Sequence, residues 1–530
     1  MDIIEKEKKK RTILYGLLVT VLVLIGVTYA YYRITKTQTN SNVIGTRTCL
    51  DTTLTEETSE IVLSDAFPIS DEDGLKQSPF TFTLTNNCDS YVKVTIALVS
   101  EYRTSTNTAY LKDNYVKSNL STKGTNDGSS VILSTLSLGE VDTNTQGYVL
   151  KTTGLKNKEA KSFDLRLWLD SETTNEQGLN KTWKGKIVVS VVAAEYVPTF
   201  AETILANNEV KAPITTPGAA ISTADEAEFA STEDDYGTSY YFRGAVTNNY
   251  VEFANKCWRI VRVGGDGSVK LILHNDNTAG VANPCDSANN SASAAFARYS
   301  ETTYTSAFNT NYNDNAYVGF KYGTVGASDY ATTHANTNNS TILTNLEAWY
   351  NNNLKTYESV IDDNVWCNDK TNVTDETYDP WNYTPNGLGY ANNVTFYGAT
   401  QRLVSSTSGS AGGTGLSLKC NGKLSKITSK IGLITADELA FAGYAAGTTA
   451  GTGNTTTYLQ ENATDTYWWS LSPSNFYGNS ARVWIVGGSS GVFGHRSVGN
   501  TSAVRPSISL KSTTNVTGNG TSSSPFIISM

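Results

Sequence analysis

Three histidines, His274, His334 and His495, are the whole stock of imidazole in this 530-residue chain. They stand in unrelated contexts, and none belongs to a Gly-x-Ser-x-Gly or a His-Glu-x-x-His pattern, so no hydrolase nucleophile or zinc site is spelled out. Paired carboxylates occur at Asp234-Asp235 and Asp362-Asp363. A glycosidase needs two carboxyl groups facing one bond. Adjacent acids point to opposite faces of a strand or sit in turns, so solvated loops are the expectation. The run Asn309, Asn311, Asn313, Asp314 and Asn315 is rich in hard oxygen donors that suit calcium. It lacks the acid spacing, the Gly and the closing Glu of an EF-hand, and loop solubility explains it as well. No cofactor is expected, with calcium the one candidate.

Binding chemistry is better represented. In 467–510 the aromatic-rich runs Tyr467-Trp468-Trp469 and Val483-Trp484-Ile485-Val486 flank Ser474–Ser480, read as a polar loop, and a turn cluster spans Gly487–Gly491. Val492-Phe493 and the alternating Val504–Leu510 follow as strands. Phe476, Tyr477, Trp484, Phe493, His495 and Arg496 lie in or beside the loops, where stacking and bidentate hydrogen bonds can hold a ligand. About half of them must also serve the core. Trp468, Trp469, Val504, Ile508 and Leu510 are assigned to that core, and Tyr477, His495 and Arg496 to an exposed rim.

These residues carry a resemblance. The Trp-Trp-Ser-Leu-Ser-Pro opening and the Val-Arg-Pro-Ser-Ile-Ser-Leu close are similar to a surface domain of anaerobic gut bacteria, related to the C-type-lectin-like and formylglycine-generating-enzyme-like fold. Tyr240–Gly244, Cys257–Val263 and Ile431–Glu438 extend it over roughly 236–530. The resemblance implies an α+β lectin-like domain without a known ligand. The cysteine or metal site of the sulfatase-modifying relative has no matching motif here, so no enzyme activity is carried over.

The elements that must position this region occupy the rest of the chain. Five basic residues, Lys6, Lys8, Lys9, Lys10 and Arg11, precede Thr12–Tyr32, which has no charge. About 20 apolar residues span a bilayer, and the basic flank stays inside. Segment 1–11 is therefore read as cytoplasmic and 12–32 as a transmembrane anchor, with everything after Arg33 outside. A cleaved signal is the alternative, since Thr28-Tyr29-Ala30 offers small residues to a peptidase and would leave a secreted protein. The net charge is −9; residues 1–36 hold seven Lys/Arg against three Asp/Glu, leaving the remainder at −13. So acidic an exterior argues against nucleic acid as a partner.

Residues 45–196 read as a β-sandwich, with β-rich runs at Phe80–Asn86, Tyr91–Leu98, Val131–Leu138, Phe163–Leu169 and Lys186–Ala194. Odd positions from Phe163 to Leu169 are all apolar and should face the core. The lead-in Val27-Thr28-Tyr29-Ala30-Tyr31-Tyr32 followed by such a domain resembles the camelysin and biofilm-matrix fibre family, which implies a jelly-roll-like sandwich. Residues 197–235, with three prolines and several acids, read as a linker with one short helix near Phe200–Ala206. In 236–530, Cys257–Val263 and Ser268–His274 form a hairpin through an Asp-Gly turn. Ile342, Leu343, Leu346, Trp349 and Leu354 share a helical face, and Thr435 with Glu438 forms a capping box.

Six cysteines without a Cys-x-x-Cys pair suit disulfides in an exported chain or buried thiols. The expected bonds are Cys49–Cys88 and Cys367–Cys420. The resulting expectation is an exported cell-surface binding protein, anchored through its N-terminal helix, whose lectin-like head takes an extracellular glycan or protein ligand. A matrix-fibre subunit and a carbohydrate- or peptide-processing enzyme are the rival readings.

Overall fold

The computed structural model describes residues 34–37 (backbone only), 50–58, 66–140, 145–211, 229–299, 302–383, 390, 394–420, 422–447 and 457–529. Thr12–Tyr32 and Cys49 lie outside these. Among the described residues no helix is long and apolar enough to cross a membrane. The fold is mainly β, in several sheets. It divides into two compact units, Met1–Val197 and Pro198–Met530.

The first unit is built from β1 (Ile34–Thr37), β2 (Thr52–Glu56), β3 (Phe80–Asn86), β4 (Val92–Ser100), β5 (Val116–Thr122), β6 (Val131–Ile132), β7 (Leu138–Glu140), β8 (Gln146–Leu155), β9 (Ala160–Leu169) and β10 (Gly185–Ala193). They form two five-stranded sheets, ordered β1-β10-β4-β8-β7 and β2-β3-β9-β5-β6. Phe163, Leu165, Leu167 and Leu169 of β9 are buried with Phe82, Val94 and Ile96 in one core, as their period of two requires. Trp168, on the other face, is buried beneath the short helix Asp71–Gly74; a Cβ on Gly74 would stand 2.4 Å from its ring.

Val131–Leu138 corrects the expectation of one strand. After two strand residues the chain turns through Leu133–Thr135, where the Thr135 hydroxyl donates to the Ile132 carbonyl, Leu133 drops into the core and Leu136 packs half-buried against it. The strand β5 gave no apolar alternation because Ser118, Asn119 and Ser121, buried on its two faces, are polar. Ser121 donates to Asn119 Oδ1, and Asn119 Nδ2 donates to the Gly128 carbonyl, so both stay satisfied inside.

The second unit opens with helix Phe200–Asn207, capped by a reciprocal Thr199–Glu202 box. Phe200, Ala201 and Ile204 belong to this unit's core, and Val210–Lys211 pairs with Phe229–Asp234. These parts of 197–235 are thus structural rather than linker, because an amphipathic helix of this size gains more by docking its apolar face than by staying solvated. The expected hairpin pairs Lys256–Val263 with Val269–Asn275 around Gly267 at φ +80°. The Ser340-capped helix Thr341–Asn353 buries all of its expected apolar face. Trp468, Trp469, Val504, Ile508 and Leu510 are fully buried.

The closing region differs from its reading in one respect. Ser474–Ser480 is not a loop: strand Trp468–Tyr477 runs through it and turns at Gly478-Asn479 into strand Ser480–Val486. Both turn residues have φ near +60°, which matches a tight hairpin. Register shifts around Pro473 accommodate its missing N–H. The serines are buried because segments distant in sequence supply partners: Ser472 Oγ accepts from Ala436 N at 2.9 Å, and the Ser474 carbonyl accepts from Thr400 Oγ1 at 2.9 Å.

Candidate functional site

The residues expected to hold a ligand are divided by the fold. Phe476, Trp484 and Phe493 are at most 3% exposed and belong to the interior, which removes them from any binding surface. Trp484 packs 4.8 Å from Phe493, and its Nε1 donates to Thr400 Oγ1 at 3.2 Å. His495 and Arg496 are consecutive in strand Phe493–Ser497, so they point to opposite faces and cannot share one rim.

His495 is half-buried 4.6 Å from Trp381, with Arg482 Nη1 at 3.3 Å from its Nε2. Burial, and then Arg482, bring its imidazole down to about 4. Tyr477 stacks on Tyr383, with centroids 4.0 Å apart and planes within 3°, and Arg482 stands 5.9 Å from both rings. Arg496 instead lies over exposed Tyr467 at 4.7 Å.

A charged cleft elsewhere in the same unit collects groups from seven segments distant in sequence, counting Arg262 and Lys270 of one hairpin together. Arg262 donates to Asp234 at 2.8 Å and to Glu438 at 2.9 Å. Lys270 reaches both oxygens of Glu438, at 2.7 and 3.0 Å. Arg402 grips Asp437 with two nitrogens, at 2.8 and 2.7 Å, and gives its third to Asp369 at 2.6 Å. The capping box contributes as well, since Thr435 N donates to Glu438 Oε2 and Glu438 N to Thr435 Oγ1.

Burial alone would raise the Glu438 carboxyl, but Lys270 and Arg262 outweigh it and hold it at about 2. Burial brings Lys270 down to about 8, with Glu438 opposing the shift and Arg262 adding to it. Asp437 and Asp369 keep Arg402 raised despite its burial. The floor of the cleft is therefore a fixed lattice of alternating charge. Its mouth carries Asp235, Lys419 and the ring of Tyr236, which is 54% exposed; the Cys367–Cys420 disulfide lies in its wall.

Asp234 and Asp235 both line the cleft: Asp235 is exposed in a turn, as expected, but buried Asp234 departs from the reading as a solvated loop. Asp234 ends its strand and turns inward, where it also accepts from Gly265 N and Tyr236 N. Asp235 accepts from Cys420 N and pairs with Lys426 at 3.0 Å. Asp363 stays at the surface beside Lys430. The other cleft ions went unread, although one signal marked two of them: Arg262 and Lys270 interrupt the apolar runs Ile260–Val263 and Val269–Ile272. A charge inside a buried strand needs a partner.

The remaining sequence candidates are structural. His274 is buried edge-on to Tyr250, and His334 among Tyr330, Tyr390 and Tyr397. Burial, with Arg259 and Arg505, puts His274 well below its ordinary value; burial and then Lys370 bring His334 to about 3. In the oxygen-rich loop, the two oxygens of Asp314 accept from Ala316 N and Gly326 N, and Asn309 Nδ2 donates to the Tyr317 carbonyl. Among the described residues no three His, Cys, Asp or Glu cluster as a metal site.

Cys88 is disulfide-bonded, and Cys257, left without a partner by sequence, is joined to Cys285. No protein-family model matches the chain, and neither a curated protein nor a solved structure matches it.

Proposed function

We propose that the chain is an exported cell-surface binding protein, with a jelly-roll-like sandwich as stalk and a lectin-like head that takes an extracellular glycan or protein segment in the charged cleft. One observation carries this reading: an ion-paired floor opens to solvent through a mouth bearing an exposed tyrosine ring and charges of both signs. Such a floor favours binding over proton transfer. Glu438 is held ionised, and Lys270, the floor group nearest neutrality, has its Nζ bound to both Glu438 oxygens. A ligand with donors and acceptors can engage the mouth while the preset charges below cost no reorganisation.

The test is a glycan and extracellular-protein array probed with the full chain. Tyr236→Ala and Lys419→Ala should weaken capture at least tenfold, while Tyr477→Ala and Arg482→Ala leave it within twofold. The opposite pattern moves the site to the aromatic face of the closing sheet. Absence of any captured ligand removes the binding reading.

A further inference from the structure

The two disulfides of the second unit are placed very differently. Cys257 and Cys285 are both 0% exposed and packed against Tyr250, where no reagent reaches them without opening the core. Cys367 and Cys420 are half-buried and line the cleft. We infer that Cys367–Cys420 is a redox-modification site for a dithiol reductant, and that its opening frees one wall of the cleft. The inference rests on the reading of the cleft as the binding site.

The wall in question is the segment ending at Cys420. From Ser405 to Gly415 every residue is Ser, Thr, Gly or Ala, so few side chains can hold it in place. Its grip on the cleft is mostly backbone: Ser417 N donates to Asp437 Oδ1 at 3.1 Å, Cys420 N reaches Asp235 at 3.3 Å, and Leu418 bridges to Asp234. Only Leu416 and Leu418 add apolar contact, half-buried against the Ala230, Tyr241 and Phe441 cluster. The covalent tie goes to Cys367, the last residue of strand Asn364–Cys367, which pairs with strand Lys426–Ser429. Upstream the segment is held by backbone hydrogen bonds from Ala411, Gly412, Thr414 and Gly415 to the Ala446, Leu403, Gln401 and Arg402 carbonyls, and its far end is fastened to a sheet by a single covalent bond spanning 53 residues.

The chemistry balances with the reductant named. A thiolate of the dithiol attacks one sulfur of the pair, forming a mixed disulfide and releasing the other cysteine as thiolate. The second thiol of the reagent then displaces the protein sulfur. Two electrons pass to the protein, the reagent leaves as its own disulfide, and its two protons end on Cys367 and Cys420. Lys426 stands opposite Cys367 in register, where its ammonium, shared with Asp235, favours the departing thiolate.

Graded dithiothreitol on the full chain, followed by maleimide labelling and peptide mass analysis, tests the site. Cys367 and Cys420 should label at a reductant concentration at least tenfold below that needed for Cys257 and Cys285. Hydrogen–deuterium exchange should then rise across 411–420 and stay unchanged across 256–275. The Cys367→Ser/Cys420→Ser double variant should show the same rise without reductant, and affinity for the array ligand should change at least threefold on reduction. Simultaneous labelling of both pairs, or a segment 411–420 that stays protected once reduced, overturns the inference and leaves the cleft reading standing. Opening of 411–420 with unchanged affinity instead overturns the placement of binding in the cleft.

Discussion

The two units solve the problem of an interior in opposite ways. The first buries no lysine or arginine among its described residues, and its buried Asp113 is answered by neutral donors alone: Ser100, Tyr148 and Trp183, each at 2.7 Å. The second buries guanidinium and ammonium groups at Arg259, Arg262, Lys270, Lys370, Arg402 and Arg505, with acids at Asp234, Asp369, Asp437 and Glu438. Buried ion pairs are poor stabilisers compared with apolar packing. The proposed binding role would give these pairs a use beyond stability, whereas the sandwich buries no cation among its described residues.

Acid should break this comparison most visibly. All three histidines lie in the second unit, and burial lowers each one. A depressed base contributes stability that is present above its unfolded value near 6.5 and is lost as pH falls toward the folded values, about 4 for His495 and about 3 for His334. Each histidine costs up to about 1.4 kcal/mol per pH unit there, so the three together approach ~4. Native-state hydrogen exchange between pH 7 and 4.5 should therefore show 229–529 losing protection while 80–193 keeps it. Parallel loss in both units would contradict the assignment.

Removing one cation from the cleft comes next. Arg402→Ala leaves Asp369 and Asp437 buried without a countercharge, an expected loss of about 3–5 kcal/mol in the second unit's unfolding free energy, read by denaturant titration. A change under ~1 kcal/mol would mean that solvent already compensates those acids. The matched substitution in the first unit is milder: Asp113→Asn keeps the shape and removes one acceptor, for about 1 kcal/mol. Smallest of all should be Tyr477→Ala and Arg496→Ala, half-exposed side chains whose loss shifts stability by about 1 kcal/mol or less. A larger effect at Tyr477 would show that its stack with Tyr383 holds the sheet edge together.

What could be read beforehand follows the range of the interactions. The alternation in Phe163–Leu169, the Asp-Gly hairpin, the helical face ending at Leu354 and the Thr435–Glu438 box are all set by neighbours within a few residues, and local pattern finds them. The cleft is assembled from pairs such as Lys270–Glu438, 168 residues apart, and Arg262–Glu438, 176 apart. Local periodicity shows that Arg262 and Lys270 need partners, since they break apolar runs, but not which distant acids they find. The aromatic candidates failed for a related reason. Phe476 sits in a stretch of Ser, Asn and Gly that looks like surface, and Trp484 just beyond it, yet Ser470, Ser472 and Ser474 are themselves buried. Composition reported polarity where hydrogen bonding had already used it.

The opening helix of the second unit has a consequence for how that unit can be rewired. Phe200 packs 5.2 Å from Phe526, its N–H donates to the Thr514 carbonyl, and Asn515 Nδ2 donates to the Pro198 carbonyl. The first and last described segments of this unit therefore meet, and strand Phe526–Ile528 lies parallel to Tyr250–Phe253 beside them. A short Gly-Ser bridge could join them, and new termini opened at the exposed Gly478-Asn479 turn would give a circular permutant with every sheet intact. Grafted by those paired ends into a surface loop of another protein, the unit would be attached at one point rather than spliced between two distant ones.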